Sequence, residues 1–357
     1  MATTNYAVNH PLAVKRWSKG LMKESLKNTH VFQFMGTGTN NVLQIKTELG
    51  KEEGDKVTFG LRLQLEGEGT SGDSTLEGNE EALTTYDDAV YIDQLRHAVR
   101  SKGKMSEQRV PFMVRDAARD GLADWWADRM DTAFFNQACG NTAQTNTKYT
   151  GMQAAIAPST NRLILAQSSS PGNEASLSAS DTFTLELIDY AVELAVTGGS
   201  AGDQIPLVPI NLGRGMKKYV MFLHPYQVTD LRTNTATGQW LDIQKAAMSG
   251  GQTTKNPIFT GALGEYNGVV LHSNTRVPAA PTNSNARRAV MCGAQAVACA
   301  FGREAGKQTY SWKEELFDYG NSLGVAAGAI HGIKKCQFNS EDFGTIVVST
   351  YAVAHGV

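Results

Sequence analysis

At 357 residues the chain exceeds the ~250–300 over which one hydrophobic core usually extends, so two subdomains sharing a chain are expected. A composition of 41% hydrophobic and 19% charged residues with 35 glycines excludes a disordered chain and describes a loop-rich globular one. The net charge of −2 argues against a dedicated nucleic-acid binder and leaves room only for local basic patches.

The N-terminus, MATTNYAVNHPLAVKRW, contains no apolar h-region, and the longest apolar runs, such as AVACAF at 296–301, are too short to span a bilayer. A soluble chain made inside the cell is expected. Residues 11–27 carry Lys15, Lys19, Lys23 and Lys27 at steps of four, with Val14, Trp17 and Leu21 on another face. That spacing predicts a short basic amphipathic helix, either a frayed end or a docking arm for an acidic surface or a packaged polyanion such as DNA.

From 57 to 65, Val57, Phe59, Leu61, Leu63 and Leu65 alternate with polar residues and glycine, the period of a strand with one wet face. The tip that follows is rich in glycine and acid. Gly67, Gly69 and Gly72 match GxGxxG, but Asp73, Glu77, Glu80 and Glu81 follow where a dinucleotide fold needs an apolar helix. A long hairpin over 51–99 fits better, and Glu66, Glu68 and Asp73 would attract a basic neighbour and repel a phosphate. Lys334 and Lys335 are the expected basic counterpart.

Residues 106–137 show the longest helical pattern, with Val114, Ala118, Leu122, Trp126, Met130 and Phe134 recurring at steps of four and Pro111 placed in the first turns. Asp116, Asp120, Asp124, Asp128 and Asp131 line its expected solvent side. Residues 141–180 lack periodicity and read as loop. A second amphipathic helix is expected over 182–196, capped by Asp181 and stopped by Gly198. Pro225 after the strand 219–223 suits the first position of a helix, and Asn267-Gly268 is a hairpin signal.

The final third is glycine-punctuated and β-rich. Its chemical motifs lack context: GREAGKQ at 302–308 is one residue short of a phosphate loop, and His224 has no second ligand at metal spacing. GNSLG at 320–324 places Ser322, Asp342 and His355 in hydrolase order, but Ser322 and His355 are only 33 positions apart, which leaves little room for strand-helix crossovers. Cys139, Cys292, Cys299 and Cys336 have no CxxC spacing and read as buried thiols. No metal, cofactor or turnover chemistry is expected.

The ordered set YVMFLHPYQVTDLR, IFTGALGEYNGVVLHSNTRVP, AVMCGAQAVACAFG, YSWKEELFDYGNSLGVAAGAIHGIKK and GTIVVSTY resembles the major capsid proteins of tailed bacteriophages, in particular the coliphage N-four type. The resemblance implies an α+β fold of the Hong Kong-97 type, with arm, extended hairpin loop, spine helix, peripheral domain and axial domain. On it the arm maps to 1–40, the loop to 41–103, the peripheral domain to 104–205 with its spine helix at 106–137, and the axial domain to 206–301. Strands 302–357 would return to the other domains. It further implies hexamers and pentamers of a virion shell, scaffolding, portal or decoration partners, and DNA held non-specifically on the inner face. An encapsulin-like nanocompartment would share this fold, and a serine hydrolase using Ser322 is the remote alternative.

Overall fold

The computed structural model describes residues 30–46, 54–65, 67–109, 113–166, 173–199, 205–212, 216–233, 262–302 and 310–355. The lysine segment 11–27, Glu66 and residues 303–308 of GREAGKQ lie outside the described residues.

One helix, Val114–Ala138, ties the molecule together. Ala118, Leu122, Trp126, Met130 and Phe134 are buried along it at steps of four, the stripe an amphipathic helix turns toward a core. The single helix expected over 106–137 is instead two, Lys104–Gln108 and Val114–Ala138, with Met113 extended ahead of the second. Pro111 is the reason available in the sequence: it lacks an N–H and disfavours helical backbone at the residue before it. The aspartate strip is also shorter than expected. Asp120, Asp124 and Asp128 are exposed, but Asp131 is buried.

Two sheets flank this helix. The first is ordered Met35–Gly36, Leu43–Lys46, Val297–Phe301, Ser322–Lys335 and Ser311–Phe317, with Asp93–Arg100 also paired to Ser322–Lys335. Its centre is the 14-residue strand Ser322–Lys335, whose early residues run between Ser311–Phe317 and Asp93–Arg100 and whose last residues pair with Val297–Phe301. The second sheet is ordered Leu163–Leu165, Thr345–Tyr351, Asn283–Cys292, Lys217–Leu223, Val269–Ser273 and Ala262–Tyr266, with short strands Ile210–Asn211 and Ala279–Ala280 at its margins. Leu122 and Trp126 pack on the first sheet through Trp312, Val325 and Ala327. Met130, Phe134 and Phe135 reach residues of both, including Phe222, Val290, Val297 and Ile333. The span 206–301 therefore contributes to both sheets, since Val297–Phe301 lies in the first.

Local signals fare well where the conformation is set within a few residues. Asn267 and Gly268 take φ values of 44° and 76° in the turn between Ala262–Tyr266 and Val269–Ser273, as a two-residue hairpin loop requires. Pro225 opens the helix Pro225–Thr233. The helix expected from 182 begins at Leu185 and ends on left-handed Gly198, packing Ile188, Ala191 and Ala195 on the second sheet. Asp181 does not cap it, because its carboxylate accepts from the Ser178 N–H and hydroxyl at 2.7 and 2.9 Å.

His331 lies at the junction of helix and first sheet, its ring 5.7 Å from Trp126. Burial pushes its imidazole down from 6.5 to about 4. The unfolded chain therefore binds more protons than the folded one between those values, and stability falls as pH drops through that window, by roughly 3 kcal/mol for this group. His224, also lowered to about 4 by burial, adds in the same direction. The expected outcome is that His331→Gln loses less stability than the parent between pH 7 and 4.5 in denaturant titrations; equal losses would remove the role of His331.

Candidate assembly surfaces

Lys56–Arg62 and Thr85–Tyr91 form a hairpin in register Lys56↔Tyr91 to Arg62↔Thr85, shorter than the one expected over 51–99 because Asp93–Arg100 pairs with Ser322–Lys335 in the first sheet. The root of this hairpin is a separate two-stranded sheet packed against the first sheet. Val57 and Val90 are buried with Ala298, Ala300, Cys336, Phe338 and Phe343, and Phe59 meets Phe338 edge-on at 6.0 Å. Asp88 pairs with Lys334 and accepts the Gln337 N–H at 3.0 Å.

Beyond this root the backbone pairing ends with Leu63 N–H to Thr84 at 3.1 Å, and the tip stands free of the subunit. Leu65, Leu76 and Leu83 are 55%, 62% and 56% exposed on it. Exposed leucines clustered on a projecting loop mark a contact surface. Glu68, Asp73, Glu77 and Glu80 are exposed beside them, and the sequence has no Lys or Arg between Leu63 and Thr84. Gly69 and Gly72 take left-handed φ values of 71° and 63° in turns, and no helix follows them, so GxGxxG builds no phosphate cradle here.

The expected counterpart of this tip is not available. Lys335 is fully buried, donating to Asp342 at 2.8 Å and to the Ala157 carbonyl at 3.1 Å. Lys334 is committed to Asp88 of its own hairpin root. Both lysines hold the subunit together, and the reason is the strand: it sets one of them against the hairpin and the other in the core. The basic surface the sequence reading passed over lies earlier. Arg96, Arg100, Lys102, Lys104 and Arg109 are all exposed along Asp93–Arg100 and Lys104–Gln108, a clustering visible in the sequence itself.

The buried Asp131 marks where the N-terminal segment joins the body. It accepts the backbone N–H groups of His30 and Val31 at 3.0 and 3.2 Å and pairs with Arg276, which also binds Asp128 at 2.9 Å. Burial raises the Asp131 carboxyl above its usual range, opposed by those donors, and burial lowers the His30 imidazole.

Ser322, Asp342 and His355 are not brought together; each has a different partner. The Ser322 hydroxyl donates to the Ser101 carbonyl at 2.5 Å and accepts from Arg100 Nε at 3.0 Å, Asp342 is held by Lys335, and His355 pairs with Asp230. Ser322 also opens a strand, whereas a nucleophile elbow joins a strand to a helix. His224 Nδ1 accepts the Tyr226 N–H at 3.2 Å, a structural use. Burial pushes the Cys139 and Cys336 thiols up to about 12, which keeps them protonated. Among the described residues no group of three His, Cys, Asp or Glu side chains could hold a metal, and no helix is long and apolar enough to cross a membrane.

Comparison with known proteins brings these surfaces into a family context. A family model described as phage capsid protein matches residues 5–354. The major capsid protein of Pseudomonas phage KPP25 is 30% identical, with 95% of this chain and 94% of that protein covered. The capsid of Ralstonia phage GP4 superposes with a TM-score of 0.81 at 34% identity over 100% of both chains. The capsid of cyanophage Pam1 shares the fold at 19% identity, with a TM-score of 0.68 over 99% of this chain and 94% of that one.

Proposed function

This chain belongs to the phage capsid protein family, and from that premise we propose that it is the major capsid protein of a tailed bacteriophage, self-assembling into the icosahedral head. The observation that carries the reading is the end-to-end match to a phage capsid, on a chain that projects an apolar and acidic tip from a buried root. A shell needs contacts that are each weak enough to correct errors and are summed by avidity, which suits a tip whose leucines are exposed and whose exposed acids Glu68, Asp73 and Glu77 form no salt bridge among the described residues.

In the parts of a Hong Kong-97 type subunit, 1–40 acts as arm, 41–103 as extended loop, 104–205 as peripheral domain with the spine helix and 206–301 as axial domain, with 302–357 returning. The tip acids Glu66, Glu68 and Asp73 contact a neighbouring copy in hexamers and pentamers. Lys15, Lys19, Lys23 and Lys27 give the arm a basic face that orders on a partner, the packaged DNA or an acidic surface of a neighbour, since so short a helix is marginal alone. Synthesis in the host cytoplasm, and scaffolding, portal or decoration proteins as further partners, belong to the same reading.

Electron microscopy and light scattering of the purified chain, with and without a scaffold, test it. Closed shells or capsomers are expected, and a chain monomeric at high concentration in both conditions would overturn the reading. Particles filled with protein cargo and lacking DNA would favour the nanocompartment. In the same assay, deletion of residues 1–29 should leave circular dichroism near normal and assembly impaired; normal particles would reduce the arm to a frayed end.

A further inference from the structure

Two surfaces of this chain carry opposite charge that no salt bridge neutralises among the described residues. On the hairpin tip, Glu68, Asp73, Glu77 and Glu80 are exposed and none forms a salt bridge among the described residues. On residues 96–109, Arg96, Lys102, Lys104 and Arg109 are exposed and likewise form none, and the acid among these fourteen positions is Glu107. Arg100 is exposed but fixed, with Nε on the Ser322 hydroxyl at 3.0 Å and its guanidinium 4.2 Å above the Phe317 ring. A fixed cation is ready for a partner without further ordering.

The basic segment also has an apolar shoulder. Lys104 N–H donates to Asn321 Oδ1 at 3.3 Å, which sets the turn 318–321 beside it. In that turn Asp318 and Tyr319 take left-handed φ values of 52° and 51°, a conformation unfavourable for L-residues, and the Tyr319 side chain is 109% exposed. Within the turn the Asn321 N–H donates to the Asp318 carbonyl at 2.9 Å and Asn321 Nδ2 to Asp318 Oδ2 at 3.2 Å, which holds the turn open with Tyr319 outward. Met105, next to Lys104 in the chain, is 65% exposed. Finally, Asp93–Arg100 pairs with Ser322–Lys335 along one edge, and its other edge has no partner among the described strands.

We propose that the receptor of the acidic hairpin tip is this basic segment, residues 96–109 with the Tyr319 turn, on a second copy of the chain. The inference rests on the reading of the tip as an inter-subunit contact and supplies its partner. Charge and polarity both match: acids meet Lys102, Lys104 and Arg109, and Leu65, Leu76 and Leu83 meet Met105 and Tyr319. A DNA backbone would satisfy the cations and leave these apolar side chains without partners.

The test compares particle yield for Lys102→Glu/Lys104→Glu, for Glu68→Lys/Asp73→Lys, and for all four together, with thermal unfolding of the free subunit as control. Each double variant should lower yield about ten-fold with subunit unfolding unchanged, and the combination should recover to within about three-fold of the parent, because a small loss at one contact is repeated around a shell. If the tip reversal impairs assembly and the basic reversal does not, the tip remains a contact and this receptor is wrong. A neutral tip reversal removes both ideas. Failure of the combination to recover, or a basic reversal that alters only the DNA content of particles, also overturns the pairing. Should a double variant unfold, a cysteine pair decides: Leu76→Cys with Met105→Cys should give disulfide-linked oligomers in oxidised particles, since the four native cysteines are buried, and an absence of crosslinks refutes the contact.

Discussion

Gly332→Ala is expected to leave the subunit unfolded or insoluble. A Cβ at this position would lie 1.9 Å from the Tyr91 carbonyl oxygen and 2.9 Å from its carbon, so backbone, not a flexible side chain, stands in the way. The long strand Ser322–Lys335 and the hairpin root would have to part. That would expose Val90, which is fully buried, and would break the Lys334–Asp88 pair and the Asp88 bond to Gln337. Overpacking that must move backbone belongs with the large effects, on the order of 4 kcal/mol or more against a total stability of about 5–15. Two other glycines calibrate the result. Gly328→Ala meets the Arg96 Cγ at 2.8 Å, a side chain that can swing away, and should cost much less. Gly121→Ala meets nothing within 4 Å on the exposed side of the long helix and should stabilise by about 1 kcal/mol from helix propensity. Urea unfolding of the three variants checks the order, and a Gly332→Ala midpoint near the parent's would mean that strand and hairpin do not approach so closely.

The contrast between these glycines shows what the sequence could and could not disclose. Asn267-Gly268, Pro225, Gly198 and the stripe of the long helix were legible because the cause lies within four residues of the effect. The hairpin was legible for the same reason, its strand alternating at period two. Asp131 looked like one more member of a solvent-facing ladder, and its true partners are His30, Val31 and Arg276, about a hundred positions or more away. Lys334 and Lys335 looked like an exposed pair of adjacent charges. In a strand adjacent side chains point to opposite faces, and Lys335 follows His331 and Ile333 onto the face that is buried. Which face that is depends on strands and loops distant in sequence. The capsid family was recognisable from the order of many local signals, while the residues that hold hairpin to body were not, since each answers to a non-local partner.

Loss of one partner of the Lys335–Asp342 pair should be severe and loss of both much milder. Both side chains are completely buried. Asp342 also accepts from Gln337 Nε2 at 2.7 Å and from the Ser159 N–H at 3.3 Å, so the carboxylate joins the long strand, the turn 337–342 and the loop at 159. Lys335→Met leaves a buried carboxylate with two neutral donors, a cost of about 3–5 kcal/mol, whereas Lys335→Met with Asp342→Leu removes both charges and should recover most of it. The pH dependence separates this account from simple packing. Burial lowers the Lys335 pKa from its ordinary 10.5, and Asp342 opposes that fall. In Asp342→Asn the opposition is gone and the folded-state value drops further. The unfolded chain then binds more protons than the folded one between that value and 10.5, so stability rises with pH across the window. Asp342→Asn should therefore regain part of its lost stability between pH 7 and 10, with the parent gaining less over the same range. A parallel pH profile for the two proteins would mean that Lys335 stays charged without Asp342, and the buried pair would then contribute packing alone.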